Sequence, residues 1–176
     1  MEQNLKHYIY DNYFIKCNRA QAVCEQLQIK RDVFTSLCFE IDAERKSEIL
    51  EMRRIRQLYN NKRGENFHFD DFYTFYYWFI GQYKKQDGCC YYCKTEEAIN
   101  AELFEKKYTS TKRLNRGKHL EVERRDSHSN IYNPENCVLA CYFCNNDKSD
   151  IFSEEEYLEY LKDRKKFFNK QFNALK

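Results

Sequence analysis

The first third of the chain alternates between apolar and polar residues at helical spacing. Apolar side chains recur every three or four positions from Ala20 to Leu27, from Val33 to Ile41 and from Ile49 to Leu58. This period is typical of helices that bury one face. We therefore predict short packed helices between about Leu5 and Leu58.

An unusually aromatic segment follows, from Asp71 to Tyr83. Asp70 is placed to cap a helix over this segment, because an aspartate side chain accepts hydrogen bonds from the first backbone N–H groups. Rings on nearly every side favour a helix buried between two layers. A base-stacking platform is the alternative, since nucleobases also stack on aromatic rings. The core interpretation is preferred.

The second half of the chain changes to a shorter period. Leu120 and Val122 alternate with Glu121 and Glu123, which predicts a half-buried strand. A polar segment containing the only proline then turns the chain, and the apolar run from Val138 to Ala140 predicts the return strand.

Helices are predicted on both sides of this hairpin. The segment from Thr95 to Tyr108 is interpreted as a helix with an acidic first turn. After the hairpin, Ser153 and Glu156 have the spacing of a capping box, and Phe152 and Tyr157 have the spacing of the accompanying hydrophobic staple.

Nine cysteines add a candidate chemistry to this pattern. Cys90 and Cys93 form one C-x-x-C pair, and Cys141 and Cys144 form another. Two such pairs predict a tetrahedral, structural zinc site. The remaining cysteines lack this spacing and are interpreted as thiols outside the site, the first three of them as small buried residues: Cys17, Cys24, Cys38, Cys89 and Cys137.

The residues around the second pair resemble the HNH (ββα-metal) nuclease motif in its zinc-stapled form. The resemblance covers about residues 86 to 152, and its motif residues are Glu123, Arg124, Asn136, Cys141, Cys144, Asn145 and Lys148. It implies a small ββα-metal nuclease core in a mainly helical α+β chain. It also implies that Glu123 and Asn145 hold a catalytic divalent ion, Mg2+ or Mn2+, and that Asn136 braces the loop.

Arg124 departs from the family pattern, because it stands where a histidine general base usually lies. Its guanidinium stays protonated and cannot accept the proton of an attacking water. It could instead clamp a phosphate through its planar fork. Three loop residues are then candidates for the base, in the order His128, Asp126 and Tyr132.

The formal net charge is only +2, but basic residues cluster before and within the hairpin. We predict that they contact the backbone of double-stranded DNA, with a solvated charged surface as the alternative. The residues are Lys112, Arg113, Arg116, Lys118 and Arg125.

No apolar run approaches the roughly 20 residues that span a bilayer, and the N-terminus has no apolar signal segment. We therefore expect no membrane partner and a cytoplasmic location, where cysteines act as metal ligands and free thiols. Three segments are predicted: a helical region at 1–86, the nuclease core at 87–152 and a packing helix at 153–176. A homodimer is left open.

The leading functional hypothesis is a metal-dependent DNA endonuclease from a restriction, phage or mobile-element context. A nucleic-acid-binding zinc protein without catalysis is the first alternative, and Arg124 favours it. A structural zinc module in a larger assembly is the second alternative.

Overall fold

The computed structural model describes residues 2–106 and 117–173. Most of these residues are helical, and two short strands form one antiparallel sheet. The predicted mainly helical α+β class is therefore confirmed. The chain divides into two compact units, one of Met1–Arg63 with Asp70–Tyr77 and one of Gly64–Phe69 with Trp78–Lys176.

The first unit consists of helices at the predicted apolar spacing. They are α1 (Glu2–Ile9), a π-helical segment (Tyr10–Ile15), α2 (Ala20–Leu27), α3 (Arg31–Glu44) and α4 (Lys46–Lys62). Their core contains fully buried isoleucines such as Ile9, Ile41 and Ile55. The amphipathic pattern identified these faces because each helix buries only one side.

The π-helical segment ends against a side chain from α4. Arg56 Nη2 donates hydrogen bonds of 2.8 Å to the carbonyls of Phe14 and Ile15, which lack helical partners at this terminus. Cys17 follows in a left-handed conformation and is exposed, whereas Cys24 is buried and Cys38 is half-buried. The prediction that Cys17 is a small core residue is therefore wrong, because the chain has left the helix there.

The aromatic helix α5 spans Phe72–Lys85. Asp71 Oδ1 accepts the Thr74 N–H at 2.7 Å, so Asp71 caps the helix rather than the predicted Asp70. Its buried rings recur at one helical face: Phe72, Phe75, Tyr76 and Phe79. Tyr77 is 40% exposed, so the prediction of burial between two layers is wrong, while the core interpretation holds for the inner face.

The second unit carries the hairpin. Its elements are α6 (Glu97–Lys106), β1 (Glu121–Arg124), β2 (Cys137–Ala140), α7 (Tyr142–Lys148) and α8 (Glu154–Asn173). β1 and β2 pair antiparallel, with Glu121 opposite Ala140 and Arg124 opposite Cys137. α7 begins directly after β2, which produces the predicted order of strand, strand and helix.

β1 is more buried than its alternating pattern predicts. Val122 is buried as expected, but Glu123 on the opposite face is only 4% exposed. α7 packs over the glutamate face of the strand, so both faces are covered at this point. A half-buried strand is therefore wrong for the end of β1 that carries Glu123.

The bounds of the two units differ from the predicted segments 1–86, 87–152 and 153–176. Gly64–Phe69 belongs with the hairpin because Phe67 forms a parallel bridge with Tyr132. The His68 N–H donates to the Tyr132 carbonyl, and the Tyr132 N–H donates to the Asn66 carbonyl, each at 2.8 Å. Backbone pairing between segments so far apart is not visible in local sequence.

α8 begins with the predicted capping box. The Glu156 N–H donates to Ser153 Oγ at 3.2 Å, and the Ser153 N–H donates back to Glu156 Oε2 at 2.8 Å. The rings of Phe152 and Tyr157 lie 6.4 Å apart across this turn. Within residues 2–106 and 117–173, no helix has the length and apolar character needed to cross a membrane.

Candidate metal centre and the acidic face of the hairpin

Four cysteines converge in the second unit. The Sγ atoms of Cys90, Cys93, Cys141 and Cys144 all lie within 4.8 Å of one another, and those of Cys93 and Cys141 are 3.8 Å apart. Zinc–thiolate bonds of about 2.3 Å give a tetrahedron with edges of about 3.8 Å. The predicted tetrad is therefore positioned to bind a metal ion, and its size is compatible with structural zinc.

The first pair lies on a tight turn that directs both sulfurs to one side. The Lys94 N–H donates to the Cys90 carbonyl at 3.0 Å, and the Cys90 N–H donates to the Thr95 carbonyl at 2.9 Å. Lys94 has a φ of 62°, so the chain reverses immediately after Cys93. Cys93 also donates its thiol to Thr95 Oγ1 at 3.3 Å.

The second pair joins the sheet to α7. Cys141 is the N-cap residue of α7, and its carbonyl accepts the Asn145 N–H at 2.9 Å. Hydrogen bonds from the Cys141 and Cys144 thiols lower the pKa of Cys93 below the ordinary thiol value. A metal ion bound by the tetrad would fix the start of α7 beside the turn that carries Cys90 and Cys93.

Gln86 supports this arrangement and is a residue that sequence reasoning missed. Its Nε2 donates to the carbonyls of Cys89 and Leu139 at 2.7 and 2.8 Å, and its Oε1 accepts the Leu139 N–H at 3.0 Å. The side chain thereby pairs with the outer edge of β2 as a neighbouring strand would. A lone glutamine at the end of an aromatic helix gave no signal for this role.

Two carboxylates on one face of β1 meet two polar residues of α7. The Asn145 side-chain amide donates to Glu121 Oε2, and Lys148 Nζ lies 3.6 Å from Glu123 Oε1. Residues two apart on a strand are separated by about 7 Å, and residues three apart on a helix advance by about 4.5 Å. In the structure, Asn145 therefore contacts Glu121 and Lys148 contacts Glu123. The sequence instead predicts that Glu123 and Asn145 bind one ion together.

Lys148 is fully buried at this face. Its Nζ donates to Ser127 Oγ, and the Ser127 hydroxyl donates to the Ser149 carbonyl at 3.1 Å. Burial lowers the pKa of Lys148, although the Glu123 carboxylate acts in the opposite direction. Ser127 is a second residue that the sequence did not identify, because its only local signal is a polar loop.

Asn136 is the last residue of the loop between the strands. Its Oδ1 accepts the Asp126 N–H at 2.8 Å, and its Nδ2 donates to the carbonyls of Asp126 and Ile131 at 3.0 and 2.8 Å. A fourth hydrogen bond reaches Ser129 Oγ at 3.2 Å. One side chain therefore ties both ends of the 126–131 segment together.

Arg124 is held against Tyr132. Its guanidinium carbon lies 4.9 Å from the centre of the Tyr132 ring, and its Nη1 donates to Asn130 Oδ1. Its Nε is buried, and among the described residues no acceptor lies within hydrogen-bonding distance of that atom. The guanidinium is therefore held by stacking on Tyr132 and by a hydrogen bond to the loop.

The candidate bases lie farther out on the loop. The His128 side chain is 65% exposed, and its Nδ1 lies 4.0 Å from Asp126 Oδ1. Desolvation raises the pKa of the Asp126 carboxyl, but hydrogen bonds from the backbone of His128 and Ser129 outweigh it and lower the pKa below its usual value. Asp126 is thus a turn residue in this structure, and His128 faces solvent.

The predicted DNA contacts divide into two groups. Lys112, Arg113 and Arg116 lie outside the described residues. Lys118 Nζ pairs with Glu105 Oε1 at 2.9 Å, and Arg125 Nη2 pairs with Glu154 Oε2 at 2.6 Å. The charges of both described residues are therefore balanced within the protein.

Glu154 connects Arg125 to the first cysteine turn. Its Oε1 accepts the Tyr91 hydroxyl at 2.6 Å, and its Oε2 accepts Arg125 Nε at 2.7 Å. Desolvation alone would raise the pKa of Glu154, but the hydrogen bonds from Arg125 and Tyr91 outweigh it and hold the pKa below its usual value. This buried carboxylate connects the start of α8 to the residue that follows β1 and to the turn that carries Cys90 and Cys93.

Comparison with protein-family models, with curated proteins and with solved structures returns no match to this chain. The assignment of a function therefore depends on side chains of the second unit. These provide a cluster of four cysteines, two carboxylates on one strand face, a buried lysine and a stacked arginine.

Proposed function

We propose that the protein is a metal-dependent DNA endonuclease with an HNH-type site. The observation that carries this proposal is the antiparallel pair β1–β2 followed directly by α7, with Glu121 and Glu123 facing Asn145 and Lys148. Carboxylate and amide oxygens are ligands for hard divalent cations, which neutralise a phosphodiester during hydrolysis.

We further propose that the tetrad binds zinc and that this zinc is structural. Four thiolates close the coordination sphere, so such an ion has no open position for a phosphate or a water. The catalytic ion would be a separate Mg2+ or Mn2+ held by Glu123 and Asn145. Asn145 directly follows the last cysteine of the tetrad, and Glu123 lies on the strand that pairs with β2.

Arg124 is proposed to bind a phosphate of double-stranded DNA. Stacking on Tyr132 limits the freedom of its guanidinium. A guanidinium held in this way can bind a phosphate through the charge-assisted hydrogen bonds of its planar fork. His128 is the proposed base, because its exposed ring belongs to the loop that Asn136 ties beside β1.

A nucleic-acid-binding zinc protein without catalysis is the second candidate. One observation favours it: the Lys148 ammonium lies 3.6 Å from Glu123, where the catalytic cation would bind. Arg124 at the usual position of the base supports the same alternative.

Cleavage of supercoiled plasmid in Mg2+ or Mn2+, with and without chelator, tests the endonuclease. Nicking that requires the divalent ion supports the proposal, and intact plasmid in both metals contradicts it. Filter binding at two salt concentrations then tests the second candidate, because phosphate contacts weaken steeply as salt rises.

A further inference from the structure

Lys148 and Glu123 form a charge pair that is removed from water. The side chain of Lys148 is 0% exposed and that of Glu123 is 5% exposed. Isolated buried charges are strongly unfavourable, so each of these groups requires the other or an equivalent partner. Ser127 Oγ accepts a hydrogen bond from the ammonium, whose Nζ lies 3.6 Å from Glu123 Oε1.

The position of the ammonium matters because a divalent cation at Glu123 would use the same carboxylate. An ammonium and a divalent ion both neutralise a buried carboxylate, but they repel each other at short distance. The neighbouring pair differs, since Asn145 donates to Glu121 through a neutral amide. Of the two α7 residues that face the carboxylates of β1, only Lys148 brings a positive charge.

We propose that Lys148 is a resident counter-cation of Glu123, which satisfies the carboxylate in metal-free protein and lowers the affinity of this site for a divalent cation. The inference rests on the proposed function, because it takes Glu123 as the ligand of the catalytic ion. Lys148 would thereby have a regulatory role. It stabilises the metal-free protein, and a divalent ion must compete with the Lys148 ammonium for Glu123.

The test is Mn2+ binding by the zinc-loaded full chain, measured from the EPR signal of free Mn2+. Lys148→Met is expected to bind Mn2+ more tightly than the parent by at least about tenfold, because a like charge at close range has been removed. Lys148→Gln should show the same gain while it retains a hydrogen-bonding group for Ser127. Zinc content and far-UV circular dichroism establish that each variant is folded.

Two controls identify the source of the effect. Lys46→Met removes an exposed lysine from α4 and should leave Mn2+ affinity unchanged. Adding Glu123→Gln to Lys148→Met should abolish the gain. Equal or weaker Mn2+ binding in both folded Lys148 variants would overturn the counter-cation role. Since binding is measured without DNA, this outcome is separate from a failure of plasmid cleavage, which tests the endonuclease itself.

Discussion

The cysteine tetrad and the acidic face of β1 lie in the same compact unit but are specified in different ways. Each cysteine pair is confined to one short turn, so the spacing of two residues already determines that both sulfurs face one side. The contacts of the acidic face depend on how α7 is positioned along β1. Local spacing therefore identifies all four cysteines of the tetrad. For the acidic face it identifies the residues but not which of them contact each other.

The two regions also differ in how their charges are balanced. The tetrad has four equivalent ligands around one centre, so a single metal ion satisfies all of them. The acidic face already contains its own partners, an amide at Glu121 and an ammonium at Glu123. Replacing one cysteine of the tetrad removes a ligand of the ion that all four would share. Replacing one residue of the acidic face leaves the residue that it contacts without that hydrogen bond or opposite charge.

The largest effect is expected at the tetrad. Cys141→Ser should remove one thiolate, release the metal and unfold the second unit. Structural zinc contributes about 10–16 kcal/mol of apparent binding energy in small domains, which is comparable to the whole stability of a typical fold. Metal content and circular dichroism of the purified variant measure both consequences.

Cys24→Ser is the matched control, because Cys24 is buried in the first unit and lies outside the tetrad. It should retain the full metal content despite some loss of stability. Folded Cys141→Ser protein with one equivalent of zinc would show that a different set of ligands binds the ion.

The next effect concerns catalysis at the acidic face. Glu123→Gln should lower Mg2+-dependent nicking by at least about a hundredfold, since a carboxylate ligand of the ion has been lost. Glutamine is preferable to alanine because it retains a polar partner for the buried Lys148 ammonium. Plasmid nicking, with zinc measured on the same sample, is the assay.

Glu121→Gln provides the comparison within the same strand face. It keeps an acceptor for the Asn145 amide and should cost about tenfold, the effect of a residue that orients a ligand rather than binding the ion. Glu123→Gln that nicks as fast as the parent would contradict the assignment of this face to the catalytic ion.

Arg124→Lys should have a smaller effect on turnover. Lysine keeps the positive charge but lacks the planar fork and stacks less well on Tyr132. We expect DNA binding within about twofold of the parent and cleavage about tenfold slower, because charge supports binding and the fork supports positioning. Arg53→Lys, at an exposed position of α4, should change neither. Unchanged cleavage in Arg124→Lys would remove the proposed clamp.

The features that the sequence predicts are local, and those that it misses depend on contacts between distant positions. Helical faces, the order of strand, strand and helix, the tetrad and the Ser153 capping box all follow from patterns within a few residues. The Lys148–Glu123 pair and the Gln86 bonds to β2 join positions that are distant in sequence. Their geometry depends on strand register and helix offset, which local spacing does not encode.

Gln86→Leu tests a contact of this second kind. Leucine fills the space but leaves the Leu139 N–H without its side-chain acceptor and removes two donated hydrogen bonds. We expect a loss of about 3 kcal/mol in the free energy of unfolding, since each unsatisfied buried polar group costs about 1–3 kcal/mol. Urea denaturation measures the change. Gln57→Leu, at an exposed position, should be nearly neutral, and equal stability of the two variants would show that the edge contact is dispensable.

Glu154 is expected to give the smallest effect and one that depends on pH. Its folded pKa is held below the unfolded value, so its ionised form stabilises the fold above the unfolded pKa, and this contribution is lost as the pH falls through the folded pKa.

Glu154→Gln keeps the shape of the side chain but removes the negative charge that accepts hydrogen bonds from Arg125 and Tyr91. The variant should be less stable by about 1 kcal/mol at neutral pH, the difference between charged and neutral hydrogen bonds. That difference should shrink as the pH falls below the unfolded pKa and vanish once the pH has passed the lower, folded pKa, where the parent carboxyl is also protonated. Urea denaturation of both proteins across this range provides the measurement. A constant difference at every pH would show that Glu154 acts through packing, and the charge link between α8, β1 and the metal-binding turn would then contribute nothing to stability.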